Sequence, residues 1–90
     1  MAGRGEIHWK LRTAEGEKYE LRAHLFGGQW RFSIRKGRFD RWEPLPQPSL
    51  EDWLRLLDAV ERRIPRRLMD PQEADRLRRL IRKLFPEAKV

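Results

Sequence analysis

The chain reads as an α+β protein: a four-stranded antiparallel β-meander followed by two α-helices packed on one face of the sheet, ββββαα. Three observations predict it. Apolar and polar residues alternate from Glu6 to Ile34, the period of a sheet with one covered and one wet face. The alternation is broken at Ala14-Glu15-Gly16, Gly27-Gly28 and Lys36-Gly37, all of turn composition. Beyond Pro48 the apolar spacing changes to three and four, the period of amphipathic helices. At 90 residues the chain reads as a single domain, 1–90, with the sheet at about 6–43, a proline-rich connector at 44–48 and helices at about 50–64 and 71–85.

Strand one covers about 6–13, with Ile7, Trp9 and Leu11 on one side and His8, Lys10 and Arg12 on the other. Ala14-Glu15-Gly16 fits a three-residue loop, a type I turn plus a bulge with Gly16 left-handed. Strand two, about 17–26, then sets Tyr19 opposite Leu11, Leu21 opposite Trp9 and Ala23 opposite Ile7, with Lys10 facing Glu20 on the other side. A two-residue turn would place Leu11 against Glu20 and mix the faces. Gly27-Gly28 fits a two-residue hairpin that sets Leu25 against Trp30, Ala23 against Phe32 and Leu21 against Ile34. Both hairpins agree on the apolar face.

The third turn admits two forms. A two-residue Lys36-Gly37 turn puts Phe39 inside and Trp42 on the basic face, facing Arg31, but needs Lys36 at positive φ. A three-residue Arg35-Lys36-Gly37 turn reverses the aromatics and sets Asp40 on the apolar face opposite Phe32. Phe39 and Trp42 are three apart, so a regular strand cannot bury both, and Trp42 is favoured for the basic face. The alternating Pro44, Pro46 and Pro48 stop strand four and form a stiff connector; no PxxP spacing marks an SH3-type ligand.

Ser49 caps the first helix, with Asp52 three positions on. Its apolar stripe is Leu50, Trp53, Leu54, Leu57, Val60 and Ile64, and Leu56 lies off it. Pro65 ends or kinks this helix. Asp70-Pro71-Gln72-Glu73 opens the second, whose stripe is Ala74, Leu77, Leu80, Ile81, Leu84 and Phe85. The expected core sets Trp9, Tyr19, Leu21, Trp30, Phe32 and Ile34 against Trp53, Leu57, Leu77 and Leu84.

Charged and apolar residues each make up 39% of the chain, and the four Trp, four Phe and one Tyr are more aromatic than a disordered chain carries. The absence of Cys excludes disulfides, thiol catalysis and zinc fingers. No stretch resembles a signal peptide or approaches the roughly 18 apolar residues of a membrane span, so the expected location is cytoplasmic. The net charge of +7 and pI near 10.8 are the electrostatic footprint of nucleic-acid binding. An Arg-rich chain without Asn or Cys is also what a G+C-rich genome or a hot habitat produces, so charge alone does not name a partner.

The register gathers Lys10, Arg12, Arg22, Arg31 and Arg35 on the outer sheet face, with Arg38 beside them in the two-residue form of the turn and Trp42 as an exposed ring. Cations that meet phosphates, interleaved with rings that stack on bases, suit single strands. His8, His24 and Phe26 share that face, and Glu6 and Glu20 dilute it. A second candidate is Arg62, Arg63, Arg66 and Arg67 around a helix end, where the backbone dipole also favours cations. Arg76, Arg79 and Lys83 extend it along helix two. A helix-turn-helix is disfavoured by the long connection containing Pro65.

No catalytic, metal or cofactor signature is present. His8, His24 and Glu6 do not have a known ligand spacing, Ser33 and Ser49 suit a strand and a cap, and Gly27-Gly28 precedes a strand.

In element order and in the alternation of Trp30-Arg31-Phe32-Ser33-Ile34-Arg35, the stretch 6–64 resembles PUR-type and Whirly-type single-strand nucleic-acid-binding modules. The resemblance implies four strands and a helix that bind strands through a curved sheet, often as dimers; the helix at 70–85 departs from that pattern. The expected function is therefore a small non-enzymatic nucleic-acid-binding module, single strands before duplex. The alternative is a protein-interaction or self-assembly domain with an acidic protein or a second copy as partner, using an exposed strand edge or Leu56.

Overall fold

Seven residues of alternating apolarity, Glu6–Arg12, form β1. In the computed structural model, which describes residues 6–37 and 39–90, β1 is followed by β2 (Lys18–Phe26), β3 (Gln29–Arg35), β4 (Glu43–Pro44), α1 (Leu50–Arg63) and α2 (Pro71–Leu84). This is the expected ββββαα order, with an antiparallel sheet ordered β1-β2-β3-β4. The chain divides into two compact units, Met1–Gln47 and Pro48–Val90.

In the sheet unit the first two hairpins have the expected register. Leu11 pairs with Tyr19, Trp9 with Leu21 and Ile7 with Ala23. Leu25 pairs with Trp30, Ala23 with Phe32 and Leu21 with Ile34. Gly16 closes the first turn at φ 88°, donating its N–H to the Thr13 carbonyl at 2.9 Å, while Thr13 donates to Glu17 at 2.8 Å. A side chain at Gly16 would be strained at that φ. Ile7, Leu21, Ala23 and Phe32 are buried, and Trp9 meets Phe32 edge-on at 6.0 Å. Trp9, Tyr19, Trp30 and Ile34, also expected in the core, are only half-buried.

The third connection takes neither anticipated form. β3 pairs with β4 only through Ser33–Pro44 and Ile34–Glu43, leaving a long loop between the strands. This avoids both costs of a tight turn: Lys36 is not at positive φ, and Asp40 is exposed. Phe39, placed inside by the two-residue turn, is 95% exposed. Pro44 lies within β4 rather than ending it, as an edge strand tolerates, and Leu45 continues the ladder by donating to the Phe32 carbonyl at 2.9 Å.

In the helical unit α1 packs against α2. Ser49 and Asp52 form a reciprocal capping box: the Ser49 side chain accepts from the Asp52 N–H at 3.2 Å and the Asp52 side chain from the Ser49 N–H at 3.1 Å. Asp70 caps α2 through the Gln72 N–H at 2.9 Å, with Pro71 in the first turn. The core holds Trp53, Leu56, Leu57, Val60, Ala74, Leu77 and Ile81. Three expected assignments are corrected. Leu56 is fully buried rather than peripheral, and Leu54 is exposed. At about 100° per residue Leu56 lies about 60° from Trp53 around the helix and Leu54 about 100°, so the stripe is centred nearer Leu56. Leu84 is likewise 49% exposed instead of buried. After α1 the chain closes on itself: Arg67 donates to Ile64 at 2.9 Å and Leu68 to Arg63 at 3.0 Å, with Arg67 at φ 59°. This is a Schellman closure with arginine where glycine is usual.

Candidate nucleic-acid interface

Strand alternation assigns the outer face. Lys10 and Arg12 on β1, Lys18 and Arg22 on β2, and Arg31 and Arg35 on β3 share one parity, with Glu6 and Glu20 the acids among them. Five of these cations are the expected ones; Lys18 joins them, because the register that sets Leu11 against Tyr19 also sets Arg12 against Lys18. Arg38 lies outside the described residues.

Trp42 sits just before β4, and its indole lies over this face. The Arg22 guanidinium is 4.4 Å and that of Arg35 4.5 Å from the ring centroid, and His8 meets the ring edge-on at 5.6 Å. The expected position of Trp42 is therefore borne out, but its partners are Arg22 and Arg35 rather than Arg31. The long loop changes the register, so Ile34 rather than a residue nearer Arg31 is opposite Glu43. Cation–π contact of this kind holds the ring beside the guanidinium groups and leaves their charge in place.

Glu20 braces the cluster from below. Its Oε1 accepts from Arg35 Nη2 at 3.0 Å and lies 3.0 Å from His8 Nε2. The Arg35 hydrogen bond holds the Glu20 carboxyl below its ordinary range; partial burial opposes this and the His8 contact adds to it. Lys10, opposite Glu20 in register as expected, is not the partner of that carboxylate. Arg22 has no carboxylate partner among the described residues.

A second ring group stands at the Gly27-Gly28 end. Phe26 is 65% exposed, with the Arg31 guanidinium 5.9 Å from its centroid and His24 edge-on at 6.4 Å. At the other end of the sheet, Lys10, Arg12, Lys18 and Lys36 line a cavity of about 570 Å³ with Tyr19 and Glu20. Lys36 is tied to Glu17 at 3.1 Å, which raises its pKa above the ordinary value. Lys10, Arg12 and Lys18 have no acidic partner among the described residues. Along the sheet the Phe26 group stands at the Gly27-Gly28 end, the Trp42 cluster lies by the middle of β2, and the cationic hollow is at the far end. Chemically the face offers stacking surfaces beside unpaired positive charge.

The helix-end candidates are arranged otherwise. Arg62 is paired with Asp58 at 2.7 Å, and Arg63 donates to the Ala59 carbonyl at 3.2 Å. Arg66 and Arg67 are exposed in the closing turn, without a ring beside them among the described residues. On α2, Arg76 pairs with Glu73 at 3.4 Å, and Arg78 pairs with Asp75 at 3.1 Å and with Glu61.

Glu6 pairs with His24 in register, but no group of three or more His, Cys, Asp or Glu among the described residues is placed to hold a metal. Among the described residues no helix is long and apolar enough to cross a membrane. No family model matches the chain, and no curated protein or solved structure is similar to it at a significant level.

Proposed function

We propose that the chain binds single-stranded nucleic acid on the outer face of its sheet and performs no chemistry on it. The observation that carries this reading is the co-placement of rings and cations: Trp42 over Arg22 and over Arg35, which Glu20 holds, and Phe26 beside Arg31, on the face that bears Lys10, Arg12 and Lys18. Bases stack on the exposed parts of Trp42 and Phe26, and phosphates meet the cations between them. Base–aromatic stacking contributes about 1–3 kcal/mol per base and tolerates any base, because every base has a π-face. A single strand is favoured over duplex because a duplex hides its base faces. The resemblance in element order to PUR-type and Whirly-type modules, which bind strands through sheet surfaces, agrees with this reading.

The test is a fluorescence-anisotropy titration of labelled single-stranded DNA and RNA at several salt concentrations. The proposal expects log affinity to fall linearly with log salt, with a slope of about −2 to −4 for a few neutralised phosphates. It also expects tryptophan emission to be quenched on binding, and Trp42→Ala to lose both the quenching and about tenfold or more in affinity. No binding at low salt, or salt-sensitive binding that Trp42→Ala leaves intact, overturns it.

A further inference from the structure

β1 is an edge strand with an unusual sequence symmetry. Thr13 donates to Glu17 across the β1–β2 hairpin, so the odd-numbered residues of β1 direct their backbone groups to β2. The N–H and C=O groups of Glu6, His8, Lys10 and Arg12 therefore point away from the sheet, and no backbone bond among the described residues meets them. The strand has no Pro or Gly and no charge on its inner face, which is Ile7, Trp9 and Leu11; its charges, Glu6, Lys10 and Arg12, all stand on the outer face. The opposite edge, β4, is only Glu43–Pro44 and lacks a proline N–H, so it is a poor template.

We infer that β1 pairs antiparallel with β1 of a second copy about a two-fold axis at Trp9. In this register Glu6 faces Arg12 of the other copy, Ile7 faces Leu11, His8 faces Lys10 and Trp9 faces its own equivalent. Apolar residues meet apolar residues, and the opposite charges at the strand ends meet twice by symmetry. A one-residue slip would set apolar against charged side chains. A slip of two residues that brings Lys10 against Lys10 places like charges on the axis. The slip that sets Glu6 against Lys10 shortens the overlap and removes Ile7–Leu11. The residues left free by β2 are also those that bond across this axis, so every outward backbone group of β1 gains a partner. The two outer faces then lie on the same side of one continuous sheet. The inference concerns the sheet edge and does not depend on what that face binds.

Pairing of strand edges alone makes a small interface, so the association is weak and concentration-dependent. The full chain in sedimentation experiments over a concentration series should pass from monomer to dimer. Higher salt should favour the dimer, since each copy carries net charge +7. Glu6→Arg or Arg12→Glu alone sets like charges opposite at both symmetric sites and should weaken the dimer about tenfold; the double swap should restore it. Lys10→Pro removes an outward N–H only, so it should abolish the dimer while the far-ultraviolet spectrum stays native.

Register is read directly by cysteine pairs, which are clean because the chain has none of its own. Glu6→Cys with Arg12→Cys should oxidise to a covalent dimer, since facing Cα atoms lie about 5.5 Å apart, within disulfide reach. Neither single cysteine should cross-link, because its equivalent lies roughly 20 Å away along the pair. A chain that stays monomeric at the highest concentration, a double variant that does not cross-link, or a single variant that links as readily as the double one overturns the inference.

Discussion

The sheet unit and the helical unit carry similar basic residues and arrange them in opposite ways. On the helices, acids stand three or four positions from arginines and neutralise them: Asp58 with Arg62, Glu73 with Arg76, Asp75 with Arg78. On the sheet, the cations of the outer face share it with rings, and among the described arginines and lysines of that face only Arg35 meets a carboxylate, that of Glu20. The cause is the period of each element. A helix brings i and i+4 side by side, so mixed charge along the sequence becomes paired charge in space. A strand sends alternate residues to one face, so the same mixture can be sorted by kind. Net charge is blind to this difference, which is why the sheet rather than the richer arginine cluster is the better candidate.

Within the helical unit, substitutions on α1 give the largest expected effects. Leu56→Ala should destabilise the helical unit by about 2–5 kcal/mol, as a fully buried leucine does, while Leu54→Ala should cost under about 1 kcal/mol. Urea unfolding followed by far-ultraviolet circular dichroism measures both. If Leu54→Ala costs as much as Leu56→Ala, the assignment of the α1 face is wrong.

Much of this was readable in the residues. The alternation of Ile7, Trp9 and Leu11 with the turn at Gly16 fixed the register of β1 and β2, and Gly27-Gly28 fixed that of β2 and β3. Two-residue periodicity and turn chemistry are local properties, so they survive without the fold. The connection from β3 to β4 was not readable. Its length follows from the costs of Lys36 at positive φ and of a buried Asp40, which rule out both tight turns but do not say how long the alternative is. The partners of Trp42 depend on that length, so the ring was placed on the right face and against the wrong arginine. Leu56 was misplaced because the window of apolar residues on α1 is wide, and only packing shows where its centre lies.

The two ends of α1 give smaller effects of opposite sign. Ser49→Ala breaks the capping box and should cost about 1 kcal/mol. Arg67→Gly relieves the left-handed arginine and should stabilise by roughly 1 kcal/mol. It also removes a cation from the helix-end cluster, so its effect on nucleic-acid affinity is informative: the comparison predicts stabilisation without lost binding.

The smallest effect is acid sensitivity at Glu20. Its folded pKa lies below the unfolded one, so its contribution is present above the ordinary carboxylate range and is lost as pH falls through the lowered value. Glu20→Gln should therefore flatten the acid limb of the stability profile, read as urea midpoints between about pH 6 and 3. An unchanged profile would mean that the Arg35 and His8 contacts are too exposed to matter.

The most direct test removes equal charge from each unit. Lys10→Gln/Arg12→Gln/Arg31→Gln on the sheet and Arg62→Gln/Arg66→Gln/Arg67→Gln at the helix end are titrated with the same labelled single-stranded DNA across salt. The account predicts that the sheet variant loses about tenfold or more and has a salt slope shallower by about 2, while the helix-end variant stays within about twofold. Equal losses from the two variants, or a larger loss from the helix end, would contradict it.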